Sequence, residues 1–119
     1  VILYHGGPRG LRRILPPSVT GAPSCVDYGA GHVARRDRVY LTTEIEAARL
    51  LGAHAPFHGP CAVYEVEPEG ELEHDPDCDT PGLSWQCPSA RVIRVAMTIS
   101  QSARHRILRA HQRTLQVSQ

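Results

Sequence analysis

The chain has 119 residues, 41% apolar and 21% charged, a profile that supports one packed domain and excludes a disordered tail or a second domain of ordinary size. No apolar run approaches the roughly 18 residues that cross a bilayer, and the opening VILYHGG lacks the basic start and long apolar stretch of a signal peptide. The expectation is a soluble, cytoplasmic monomer with no membrane partner, whose net charge of +1 conceals a partition: residues 1–60 carry seven Arg against four acids, 61–90 eight acids and no Arg, and 91–119 six Arg and no acid.

The opening Val1-Ile2-Leu3-Tyr4-His5 is a short β-prone run that Gly6-Gly7-Pro8 should stop, leaving His5 at a strand end beside permissive backbone. Residues 10–15 read as a short amphipathic helix ended by Pro16-Pro17, and residues 16–37, rich in Gly, Pro and Ser, as a long surface loop. Residues 38–42 form a second strand. Thr43 followed by Glu46 has the form of a capping box, opening a helix over about 44–51 whose Ile45, Ala47, Ala48 and Leu51 would face a sheet. Residues 61–67 read as a third strand ended by Pro68-Glu69-Gly70, with a long acidic insertion after it. Residues 91–99 carry the strongest strand signal, with Val95, Met97 and Ile99 on one side, and Ser100 or Ser102 can cap a basic helix through about Arg113. The order β-α-β-α-β-loop-β-α makes residues 1–119 a single α+β domain.

Four cysteines, Cys25, Cys61, Cys78 and Cys87, are an even number, but without a secretion signal they read as thiols, with a Cys78 to Cys87 bridge left open by the short spacing. His54, His58, Cys61, His74 and Cys78 are zinc-type donors within 25 residues. Pro56, Gly59 and Pro60 break the helix that would align His54 with His58, and no paired C-x2-C knuckle is present, so no metal is expected. A non-catalytic zinc module on His54, His58, Cys61 and Cys78 is the alternative from a different functional class.

Three segments place a polar side chain with binding or catalytic chemistry at a strand end or in the turn beyond it: Tyr4-His5-Gly6-Gly7, Val39-Tyr40-Leu41-Thr42, and residues 63–76. Each alone is ordinary, since a His after a strand is usually structural, a Tyr in a strand is usually core, and an acidic turn is usually solvated. Their order and spacing resemble the rifamycin-inactivating ADP-ribosyltransferases. Tyr4-His5-Gly6-Gly7 is similar to that family's His-Gly-Thr element. Val39-Tyr40-Leu41-Thr42, followed by a helix with Ala47 and Ala48, is similar to its second element. Residues 63–76, ending in Glu73-His74-Asp75-Pro76, resemble its strand and acidic turn ending in Asp-Asp-Pro.

The resemblance spans roughly residues 2–99 and implies a small ADP-ribosyltransferase-like core, a split mixed β-sheet with short flanking helices. It implies NAD as co-substrate, held by His5, Gly6, Gly7, Tyr40 and Thr42, with His5, Tyr40 and Asp75 in catalysis and a rifamycin as the leading acceptor. Gly7 stands where the family has Thr, His74 where it has the first Asp, and residues 77–90 keep only Pro81-Gly82 of its acceptor-side stretch, with Ser84-Trp85-Gln86 in place of its Ser-Tyr-Arg. The NAD half is therefore the better matched. A toxin-like enzyme that modifies a protein or nucleic acid is the alternative within the fold, motivated by Arg104, Arg106, Arg109 and Arg113 on the last helix.

The residue types suit that chemistry. Cleaving the nicotinamide–ribose bond builds an oxocarbenium-like cation, which a carboxylate such as Asp75 stabilises. Nicotinamide is a flat cation before it leaves, and an aromatic face such as Tyr40 holds it with about 0.5 to 2 kcal/mol. His5 can hydrogen-bond a ribose hydroxyl while Gly6 and Gly7 admit close backbone approach. Neither a Gly-x-Gly-x-x-Gly nor a Walker sequence is present.

Overall fold

The computed structural model describes residues 1–23 and 35–117; Cys25 and half of the predicted 16–37 loop lie outside them. Strand β1 (Leu3–Pro8) does not stop at Gly6. It runs through both glycines because helix α2 (Ile45–His54) lies directly on it: a Cβ on Gly6 would sit 2.0 Å from the Ala48 carbonyl oxygen and 2.7 Å from the Gly52 nitrogen. The sequence Gly6-Gly7-Pro8, expected to break the strand, instead lets a helix backbone touch it.

The helix expected over 10–15 is also replaced. Those residues make a turn and the two-residue strand β2 (Arg13–Ile14). The prolines expected to end a helix begin one, α1 (Pro17–Thr20), because Pro17 sits in the first turn, where no amide hydrogen is required; Gly21 closes it at φ 70°.

Strand β3 (Val39–Thr42) falls where the sequence puts it. The capping box does not form: Thr43 Oγ1 donates to the Gly82 carbonyl at 3.1 Å, and Thr42 Oγ1 accepts from the Glu44 amide at 3.1 Å. Helix α2 turns Ala48, Gly52 and Ala53 inward and leaves Leu51 53% exposed, so small residues rather than the expected Leu51 set its close packing.

Strand β4 (Cys61–Glu69) continues through Pro68 and pairs along its length with β7 (Ser89–Ile99). Two register shifts, between Val63 and Tyr64 and between Glu65 and Val66, leave Ala96 and Ile93 of β7 without opposite partners. These bulges break the expected alternation: Ile99 is buried and Met97 packs beside the same core, but Val95 is half exposed. The acidic insertion carries two further strands, β5 (Glu73–His74) and β6 (Ser84–Cys87). Helix α3 (Gln101–Val117) runs four residues past the expected end near Arg113, and Ser100 is its cap, its Oγ accepting from the Ala103 amide at 3.1 Å.

The strands form one sheet in the order β2-β7-β4-β1-β3-β6-β5. Every pairing is antiparallel, which corrects the expected mixed sheet, and the molecule is a small α+β domain of seven strands and three helices among the described residues. One face packs Ala48, Ala53, Cys61, Val63, Ile99 and Ile107 beneath α2 and α3. The other buries Leu3, Leu41, Tyr64, Val66 and Cys87, and the Tyr64 hydroxyl ties the turn after β1 over it by donating to Pro8 O at 2.5 Å and accepting from Leu11 N at 3.1 Å. The weakest joint lies in the middle: β1 pairs with β4 from Leu3 to Pro8 but meets β3 only where Tyr4 faces Thr42. Cys61, Cys78 and Cys87 are free thiols, so no Cys78–Cys87 bridge exists. No helix among the described residues is long and apolar enough to cross a membrane.

Candidate functional site

Beyond that joint the sheet assembles a polar row. Tyr4 on β1 faces Thr42 on β3, and Thr42 faces Ser84 on β6. Asp75, just after β5, reaches Ser84 from the far side: its amide donates to the Ser84 carbonyl at 3.0 Å. The Ser84 hydroxyl donates to Asp75 Oδ2 at 2.8 Å, and the Asp77 amide to Asp75 Oδ1 at 2.9 Å. Both carboxylate oxygens are thus held by a donor, which fixes the direction of a half-buried charge.

Two residues along each strand a second row runs on the same face, with Tyr40 opposite Gln86 and Gln86 opposite Glu73. The Tyr40 hydroxyl accepts from the Arg35 amide at 2.6 Å. Burial pushes the Tyr40 phenol above its usual 10.0, and the carboxylates of Asp75 and Asp77 act in the same direction, so the ring carries a neutral hydroxyl next to that charge. Arg38 Nε donates to Glu73 Oε1 at 3.3 Å. Arg35 grips Asp37 through two bonds, 2.9 and 2.6 Å, which holds the Asp37 carboxyl below its usual range.

Gln86 is the functional candidate that sequence reasoning passed over. It is 6% exposed and its Oε1 has no hydrogen-bond partner. A buried acceptor left unpaired costs about 1 to 3 kcal/mol. Ser84-Trp85-Gln86-Cys87 alternates polar and apolar, a strand pattern that could have placed Gln86 on the face opposite Cys87.

The structure brings Tyr40, Thr42 and Asp75 onto one face but treats His5 differently. His5 alternates with Tyr4 and so does not join the row; its Nδ1 donates to the Tyr40 carbonyl oxygen at 3.0 Å, bridging the strands where their ladder ends. Burial pushes the imidazole below 6.5, against the opposing pull of that bond. A neutral ring with Nδ1 protonated leaves Nε2 as an acceptor. The space beside Gly6 is filled by α2, and a Cβ on Gly7 would lie 3.4 Å from both His5 Nε2 and Leu11 Cδ1. Gly6 thus serves close packing against α2, whereas a side chain at Gly7 would meet only ordinary contacts.

Among the described residues no three His, Cys, Asp or Glu side chains converge as a metal site, so the zinc set His54, His58, Cys61 and Cys78 is not gathered. His54 instead meets His111 of α3, Nε2 to Nδ1, at 2.8 Å. Cys61 is buried, and that burial pushes its thiol up. Arg104, one of the four arginines expected to face an acceptor, points inward and donates to the carbonyls of Ala53, Ala55, Phe57 and Gly59 at 2.6 to 2.9 Å. No known family model and no curated protein matches this chain.

Proposed function

We propose that the chain is a mono-ADP-ribosyltransferase with an ADP-ribosyltransferase-like split sheet, moving ADP-ribose from NAD to a hydroxyl of a small molecule, a rifamycin first among acceptors. The observation that carries this reading is Asp75: its carboxylate is clamped by Ser84 and the Asp77 amide, in line with Thr42 and on the same sheet face as Tyr40. The near-separation of β1 from β3 at the single Tyr4–Thr42 pair supports the split.

The residues fit the co-substrate's chemistry. The Tyr40 ring offers the face on which cationic nicotinamide stacks, and the phenol, kept neutral, adds no competing charge. As the carbon–nitrogen bond to ribose breaks, its electron pair leaves with nicotinamide, which becomes neutral, and positive charge appears on the sugar. Asp75 faces that charge from a fixed position, so little reorganisation is required, and such preorganised stabilisation is worth about 3 to 4 kcal/mol. The acceptor oxygen then bonds to the anomeric carbon and its proton passes to Asp75 or to water. His5 contributes by fixing the Tyr40 backbone, which makes it a positioning residue.

Incubation with NAD and rifampicin, followed by mass analysis, should yield free nicotinamide and rifampicin carrying one ADP-ribose. Nicotinamide without modified rifampicin would keep the NAD half and move the acceptor elsewhere. No nicotinamide with rifampicin or with any polyol or protein hydroxyl would overturn the reading.

A further inference from the structure

We infer that the groove between α2 and α3 docks the phosphodiester backbone of a nucleic acid. It is an open groove of about 590 Å³, walled by Arg49 of α2 and by Arg106, Arg109 and Arg113 of α3, with Met97 and Thr98 of β7 among its other lining residues. No carboxylate lines it. Arg49 has a partner, Glu46 at 3.2 Å; Arg106, Arg109 and Arg113 make no ion pair with any described residue, and residues 91–119 contain no acid.

The arrangement of the charges selects the ligand. Arg106, Arg109 and Arg113 stand at i, i+3 and i+7, one helix face, and at 1.5 Å per residue they extend over roughly 10 Å. They form a row, where a site for one free phosphate would need them to converge on a point. The row matches about three nucleotide steps at 3.4 Å each. No aromatic side chain lines the groove, so nothing there stacks bases, and recognition rests on the backbone without sequence preference. A lipid surface fits less well. The apolar side of α3 is already used among the described residues: Ile107 is 7% exposed, and Ala103 and Leu108 pack against the same core. None of these residues lies in the Tyr40 or Asp75 rows, so the groove stands or falls independently of NAD chemistry.

Fluorescence anisotropy of the full chain with labelled single-stranded and duplex oligonucleotides across a salt series tests this. Four arginine contacts predict that log K falls with log salt at a slope of about −3 to −4, similar for unrelated sequences. Each of Arg106→Gln, Arg109→Gln and Arg113→Gln should lower the slope by about 1, and the triple Gln variant should lose roughly tenfold or more in affinity at low salt. The triple Lys variant keeps the charge and should retain most of the slope. All three side chains are exposed, so circular dichroism should show an unchanged fold. Absence of binding at low salt, an unchanged slope in the Gln variants, or tighter binding to polyglutamate or to anionic vesicles than to the oligonucleotides would overturn the inference.

Discussion

The His5 imidazole and the Tyr40 carbonyl are joined at 3.0 Å at the place where β1 and β3 cease to pair. A side chain here substitutes for a strand ladder, and only the neutral, Nδ1-protonated ring leaves Nε2 uncharged in its half-buried setting. The folded imidazole resists protonation, while in the unfolded chain it takes a proton near 6.5. Its stabilising contribution is therefore complete above 6.5 and is lost as pH falls below it toward the depressed folded value. Urea denaturation across that window should show stability declining with acid in the parent chain and less steeply in His5→Gln. His54, lowered by burial with His111 and Arg104 adding to it, supplies a residual slope of the same sign. Identical slopes in parent and variant would contradict the assignment.

Gln86 tests whether the second row serves a ligand. Removing an unpartnered buried acceptor with Gln86→Leu should raise stability by about 1 kcal/mol or more, because the desolvation penalty disappears. If that oxygen is kept for NAD, the same variant should weaken KM for NAD about tenfold, the worth of one hydrogen bond near 1.4 kcal/mol, with kcat little changed. Thermal melts together with steady-state kinetics separate the effects; a loss of stability would show that Gln86 serves the fold alone.

Gly6 and Gly7 are adjacent yet should respond differently to a methyl group. A Cβ at Gly6 meets helix backbone at 2.0 Å, which cannot yield without displacing α2, whereas at Gly7 the nearest atoms lie at 3.4 Å in side chains. Gly6→Ala is expected to cost about 3 kcal/mol or more and Gly7→Ala about 1 kcal/mol or less. Parallel denaturation curves for the two variants check this ordering.

Arg104 is 7% exposed, packs its guanidinium 4.1 Å from the centre of the Phe57 ring, and satisfies four carbonyls that end α2 and shape the chain to Gly59. Arg104→Met removes every one of those donors at once. A loss of about 3 to 5 kcal/mol is expected. Arg104→Lys should recover only part of it, because an ammonium cannot span the four acceptors. A melt of Arg104→Met within a few degrees of the parent would show that water replaces the guanidinium.

The residues that advertise themselves do so through local pattern. Val39-Tyr40-Leu41-Thr42, the 61–67 run, the β-branched stretch near Arg91–Ile99 and Ser100 before α3 all carry their elements in short-range chemistry. Gly6 reads as a breaker because its use is tertiary: only the approach of α2 explains it. Strands β2 and β5, two residues each, exist through their partners β7 and β6 and have no signal of their own. The bulges that turn Val95 outward arise from pairing with β4 and so are equally invisible in a single strand. The site divides in the same way. Tyr40, Thr42 and Asp75 are legible as residue types at strand ends, but their meeting depends on the strand order β1-β3-β6-β5, which no local spacing encodes.

The rate of nicotinamide release from NAD in the presence of rifampicin, compared between the parent chain, Ser84→Ala and Asp75→Asn, bears most directly on the proposed chemistry. Asp75→Asn should fall by about 10²- to 10³-fold, as expected for loss of a preorganised charge, and Ser84→Ala by about tenfold, since the carboxylate keeps the Asp77 amide but loses its second anchor. Both variants should remain folded by circular dichroism. Equal rates in all three proteins, or no release from the parent, would contradict the account.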